Sequence, residues 1–274
     1  MKPSLSPTVL ALLVICVLGS PTAHAQTSDN LRERGDGKYR ARDFDGAIAD
    51  YTEAIRLDPT NSSAFTNRGA AKNGKGEVDA AILDEDEAIR LNPQGAIGYL
   101  NRGNYKYAKG NYRGGVADES EAIRLNPGDA RAYNNRGNDK VALGDFDGGI
   151  ADYNEALRLS PQFAHAFNDR AIARNKKGDI NGALADYGEA IRLNPDYSHA
   201  YVGRSKIRNA RGDLSGAIAD SSDKRGQDLR VLGDELLNHP FVCGIINHFF
   251  EGLNLGLVQG GRDKPFLQFG RPGL

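Results

Sequence analysis

A fixed step of 34 residues dominates this chain. Pro59, Pro93, Pro127, Pro161 and Pro195 are spaced by that step, and so are the aromatic residues Phe65, Tyr99, Tyr133, Phe167 and Tyr201. A sequence that returns to itself at this interval does not build one large core. Each unit is a small piece of supersecondary structure that buries its apolar side only by stacking on its neighbours. The stretch 130–163, ARAYNNRGNDKVALGDFDGGIADYNEALRLSPQF, shows the unit most clearly. Its two halves carry apolar and small residues at helical spacing, which predicts two helices per unit. The expected fold class is therefore all-α, a solenoid of stacked helix-turn-helix pairs.

Small residues mark where the helices of a pair must approach closely. They fall at the eighth place of each unit (Gly35, Gly69, Gly103, Gly137, Ala171, Ser205) and at the twentieth (Ala47, Ala81, Gly115, Gly149, Ala183, Ala217). A further set stands at the twenty-seventh (Ala54, Ala88, Ala122, Ala156, Ala190). Bulky neighbours such as Phe146, Ile150 and Leu157 fill the space between layers. Gly76, Gly110, Gly144, Gly178 and Gly212 suit the left-handed position that ends the first helix. The next residue, Glu77, Asn111, Asp145, Asp179 or Asp213, is placed to cap the second helix, with Glu77 the weakest of these.

The period, the small–small–Pro framework and the aromatic near each start resemble the tetratricopeptide repeat (TPR) family. The resemblance covers about residues 28 to 220, as units 28–61, 62–95, 96–129, 130–163, 164–197 and a partial 198–220. It implies a right-handed α-solenoid that binds other proteins. Two departures stand out. The seventh position, usually Leu in the family, is Arg in each unit (Arg34, Arg68, Arg102, Arg136, Arg170, Arg204). The eleventh, usually Tyr, is basic (Lys38, Lys72, Lys106, Lys140, Arg174, Arg208). These positions lie four apart on one helix face, and Asp50, Asp84, Asp118, Asp152, Asp186 and Asp220 answer them from the second helix. An Arg–Asp ladder running through the stack is expected. Because each charge has an opposite partner in its own unit, the ladder serves the scaffold and does not form an anion groove.

In TPR proteins the first helices line the concave surface and touch ligands through their second, fifth, sixth, ninth and twelfth positions. By this resemblance the sixth position here forms an asparagine ladder, Asn67, Asn101 and Asn135, continued by Asp169. Asn104, Asn134, Asn138 and Asn168 are assigned to the same peptide-binding groove. A carboxamide offers both a donor and an acceptor, so it can pair with a peptide backbone whatever the side chains of that peptide. The alternative is that Asn is only a neutral surface residue of the repeat template. Against that, Asn is a mediocre helix former and needs a reason to recur in mid-helix. The carboxylate clamp of chaperone-binding TPRs is excluded: its best window offers Leu100, Asn104, Asn135, His165 and Asp169, and Asp169 would repel a terminal carboxylate.

Nothing else in the chain assembles chemistry. His165 and His199 share the second position of consecutive units but have no carboxylate or Cys ligand placed by spacing. His239, Cys243 and His248 do not follow a zinc pattern. Asp43-Phe44-Asp45-Gly46 and Asp145-Phe146-Asp147-Gly148 misplace the Gly of a calcium loop and read as helix starts. Asn61-Ser62-Ser63 is a glycosylation sequon, relevant only in a eukaryotic host. There is no nucleophile elbow and no P-loop, so neither an enzymatic activity, a cofactor nor a metal is expected. A net charge of −1 gives no electrostatic reason for a nucleic-acid partner.

The two ends differ from the array. Lys2, the apolar run Val9 to Leu18 and Ala23-His24-Ala25 predict a signal peptide over 1–25. The apolar run is too short to cross a membrane, and Ile15 before Cys16 argues against lipid attachment. An exported protein, periplasmic or secreted, is expected, with no transmembrane segment after cleavage. Cleavage leaves Cys243 as the single cysteine, which rules out an intramolecular disulfide. After Asp220 the register is lost, and 221–274 form a non-repeat tail that is apolar in its first half. Three readings of the tail stand open: an apolar cap, a docking surface for a second chain, or an altered reading frame. The function expected is a scaffold or adaptor that binds a peptide or protein partner. The alternative is a structural spacer that self-associates through its tail.

Overall fold

The computed structural model describes residues 21–221, and these hold twelve helices and no strand. Two compact units divide them. The first, up to Pro195, contains α1 (Pro21–Arg40), α2 (Phe44–Leu57), α3 (Ser62–Gly74), α4 (Val78–Leu91), α5 (Ala96–Ala108), α6 (Tyr112–Leu125), α7 (Ala130–Ala142), α8 (Phe146–Leu159), α9 (Ala164–Lys177) and α10 (Ile180–Leu193). The second, from Asp196 onward, contains α11 (Ser198–Ala210) and α12 (Leu214–Ser221). The leader sequence up to residue 20 and the tail from 222 lie outside the described residues. The backbone of α1 is helical from Pro21, so it runs through Ala23-His24-Ala25.

Within the first unit each helix packs on the next in sequence, and the first helices of neighbouring pairs (α1, α3, α5, α7, α9) also touch one another. That nearest-neighbour pattern is the all-α solenoid expected from the 34-residue step. The buried core is built largely from alanine, including Ala47, Ala71, Ala81, Ala132, Ala156, Ala171 and Ala183. Small side chains let the paired backbones close on one another, so each layer is thin and well packed. The eighth-place glycines show how tight this is. A methyl group on Gly35 would lie 2.6 Å from the Tyr51 ring, and one on Gly137 would lie 2.6 Å from the Tyr153 ring. In the second unit Ser205 takes this place, and its hydroxyl donates to the Ala217 carbonyl.

Helix ends follow the sequence closely. Asp43, Asn111, Asp145, Asp179 and Asp213 each accept from the backbone N–H three residues on, which secures the start of a second helix. Glu77 makes no such bond, and its side chain pairs with Lys75 at 2.9 Å instead. The extra methylene that made Glu a weak cap in the sequence carries the carboxylate past the amide. Gly76, Gly110, Gly144, Gly178 and Gly212 all have φ between 76° and 89°. In the first pair that place is held by Arg42, at φ 61°, where a side chain costs about 1 kcal/mol.

Candidate functional site

The first helices carry both the charged ladder and the asparagines. Each ladder Arg grips the Asp sixteen residues later with two N–H groups; Arg136 bonds Asp152 at 2.9 and 2.7 Å, and Arg170 bonds Asp186 at 2.9 and 2.6 Å. The same Asp receives the basic residue of the next turn, as Lys140 at 2.8 Å or Arg174 at 2.7 Å. The guanidinium of Arg136 also lies over Tyr133, 5.6 Å from the ring centre. Its remaining arm reaches back sixteen residues to the previous pair. Arg68 thus bonds Thr52, Arg102 bonds Asp86, Arg136 bonds Ser120 and Arg170 bonds Asn154. These donors are committed to the scaffold, as the sequence predicts. Arg34 bonds Asp50 in the same two-pronged way, which holds the Asp50 carboxyl down at about 2.

The asparagine positions divide into three kinds. Asn67 donates to Asp36 at 2.7 Å and Asn101 donates to Glu85 at 3.1 Å, so a carboxyl group behind each amide fixes its orientation. Asn135 is half-buried and makes no hydrogen bond among the described residues, while Asn104 is exposed. Asn138 accepts the Tyr153 hydroxyl at 2.7 Å. Asn134 and Asn168 do not lie on the open face: they are buried, 5% and 4% exposed, and both donate to Asp169. The fifth position of these helices is rotated toward the neighbouring helix, which turns both amides inward.

A cleft of about 240 Å³ opens between α3, α4 and α5, lined by Ser63, Thr66, Asn67, Asn92 and Ile97. Ile97 is well exposed at its mouth. The cleft therefore combines carboxamides, hydroxyls and an exposed apolar side chain.

Sequence reasoning overlooked a set of buried carboxyls. The twenty-fourth position reads Tyr51, Glu85, Glu119, Tyr153 and Tyr187, and both glutamates are fully buried against Gly69 and Gly103 where the other units place a ring. Glu85 accepts from Thr66 and Asn101. Burial outweighs these bonds and pushes its carboxyl up to about 8. Glu119 lies against the fully buried Asp139. Burial raises both of these carboxyls. A column of Tyr interrupted by two Glu was the signal available in the sequence.

The remaining sequence candidates resolve simply. The His165 ring lies against Phe163 and the His199 ring against Tyr197. Among the described residues no three His, Cys, Asp or Glu side chains gather to hold a metal, and no helix is long and apolar enough to cross a membrane. His239, Cys243 and His248 lie outside the described residues. Asn61, the sequon residue, caps α3 by accepting from Ala64 N–H and donates to Ser28.

Comparison with known proteins agrees with this geometry. The fold is similar to the crystal structure of PilW, described as a widely conserved type IV pilus biogenesis factor, at 20% identity and a TM-score of 0.68, over 81% of this chain and 99% of that one. It is likewise similar to pilF of Pseudomonas aeruginosa, at 14% identity and a TM-score of 0.67, over 82% and 99%. MamA shares 26% identity at a TM-score of 0.53, over 58% of this chain and 93% of that one. No curated protein sequence matches the chain. The model of the tetratricopeptide repeat matches residues 32–96, 100–162, 135–180 and 168–222. With the repeat matched over most of its length and its helix pairs stacked as described, the chain belongs to the tetratricopeptide repeat family.

Proposed function

We propose that this protein is an adaptor of the cell envelope that holds an extended peptide or protein segment along the face of its first helices. TPR proteins bind protein partners, and the fold is that of an interaction scaffold. One observation carries the reading furthest. Asn67 and Asn101 recur at the same place on α3 and α5, and each spends one N–H on a carboxyl group behind it. The carbonyl oxygen of each has no partner among the described residues. A carboxamide fixed in this way can present an acceptor and a second donor to a peptide backbone without losing rotamer entropy on binding. Asn135 continues the series on α7, with Asn104 and Asn138 beside it. The leader pattern at the start of the sequence supports export, and the periplasm is the compartment that fits it best.

The test is affinity capture from native cell-envelope extract. The baits are residues 26–274 and the same chain with Asn67, Asn101 and Asn135 changed to Ala. A partner captured by the first and lost from the second, at unchanged helicity by circular dichroism, places binding on this face. A partner held equally by both removes the asparagine ladder from the mechanism and directs attention to residues 221–274.

A further inference from the structure

Of the carboxylates on the first helices of residues 21–195, all but one are accounted for. Asp29, Glu33 and Asp36 on α1 lie within ion-pairing distance of Arg32. Asp139 on α7 is fully buried beside Glu119. Asp169 on α9 is half-buried, caps no helix and has no cationic partner among the described residues. It stands where the preceding units place asparagine.

Asp169 is also held in place. Asn134 Nδ2 donates to its Oδ2 at 3.0 Å from α7, and Asn168 Nδ2 donates to its Oδ1 at 3.1 Å from its own helix, α9. Both amides are more than nine-tenths buried, and the Oδ1 of each has no hydrogen-bond partner. The cluster therefore sets an acidic side chain beside two unpaired carbonyl dipoles, with no cationic partner for it among the described residues. Its field extends well beyond the helix. Burial raises the hydroxyls of Tyr107 and Tyr187, and the Asp169 charge adds to that rise from two different helices. Tyr107 is partly exposed, so an apolar ring borders the same acidic region. A carboxylate oriented by buried donors and left without a counter-ion is the complement of a group with several N–H donors and a positive charge.

We propose that Asp169 anchors a cationic side chain, Lys or Arg, of the extended segment bound on the first-helix face. This rests on the reading of that face as a peptide groove. It names the partner's chemistry: a segment with a basic residue at a fixed distance from the stretch lying over Asn67, Asn101 and Asn135. The same charge explains why a segment ending in a carboxylate over this helix would be rejected.

The probe is a displayed library of random peptides of about 12 residues, long enough to span several units in extended form. It is selected separately on residues 26–274, on the Asp169→Asn variant, and on the variant with Asn67, Asn101 and Asn135 changed to Ala. The wild-type selection is expected to enrich Lys or Arg at one fixed position. Peptides from that selection are expected to bind Asp169→Asn about ten-fold more weakly, with the difference shrinking at about 0.5 M salt. Asp169→Glu, which keeps the charge, is expected to recover most of the affinity, a result that loss of packing alone would not give. A wild-type selection without basic preference, or the same preference on Asp169→Asn, overturns the proposal while leaving the groove intact. Selection of the same peptides by the triple Ala variant overturns the groove reading itself. Failure of the wild type to select any peptide overturns both.

Discussion

Glu85 illustrates how much one side chain sets the behaviour of a repeat. It occupies a site that three other units fill with a tyrosine ring (Tyr51, Tyr153, Tyr187), and it is fully buried. Its carboxyl is pushed from 4.5 to about 8, chiefly by burial. A proton is then held more tightly in the folded chain than in the unfolded one, so the stabilisation is complete below about pH 4.5 and is lost as pH rises through about 8. Asp50 works in the other direction. The Arg34 hydrogen bonds lower it from 3.8 to about 2, so its stabilisation is present above about pH 4 and lost as pH falls through about 2. Together they predict a thermal-stability maximum near pH 4 to 5 and a decline of up to about 1 kcal/mol per pH unit toward pH 8. Thermal unfolding between pH 4.5 and 8.5 measures it. Glu85→Gln keeps an acceptor for Asn101 or Thr66 and is expected to flatten the alkaline side. An unchanged slope in that variant would assign the decline to other groups.

At the scale of the element, the stack is joined by guanidinium groups as well as by alanine packing. Arg136 touches three helices: its own α7, α8 through Asp152, and α6 through Ser120. Truncating it leaves the Asp152 carboxylate buried with Lys140 as its single counter-ion. Arg136→Met is expected to cost about 3 kcal/mol, most of it from leaving that buried carboxylate with one counter-ion in place of two. Arg136→Met with Asp152→Leu is expected to recover at least half of the loss, because neither charge remains to be desolvated. Urea titration of the three variants gives the coupling directly. Additive losses would show that the pair interacts weakly and that its conservation of geometry along the array has another source.

For the whole molecule, the 34-residue step was enough to give the helix pairs, their caps and the ladder, because each is enforced by a residue type that recurs in register. What the sequence hid were exceptions to the template. Glu119 sits in a column filled mostly by tyrosine and Asp139 in one otherwise uncharged, and only three-dimensional packing brings them together. Asn134 and Asn168 look like surface residues by composition, yet helix rotation buries both beneath Asp169. At this scale one expectation concerns independence. Contacts in residues 21–195 run between near neighbours along the stack, so removing 196–274 is expected to leave that unit helical, with its melting temperature lowered by no more than about 5 °C. Circular dichroism of residues 26–195 tests this, and collapse of the helical signal would mean that the rest of the chain is required as a cap.

Four ladder arginines, Arg68, Arg102, Arg136 and Arg170, reach an equal distance along the chain in both directions, to the Asp sixteen residues ahead and to a polar residue sixteen behind. A change in chain length therefore meets a strict arithmetic. Gain or loss of one whole period returns each of these four guanidiniums to an acid in front and a hydrogen-bond acceptor behind. Any other insertion inside a helix pair strands a buried carboxylate. Such a gene can grow or shrink by duplicating its period, and the array tolerates evolutionary change in whole steps far better than in fractions of one.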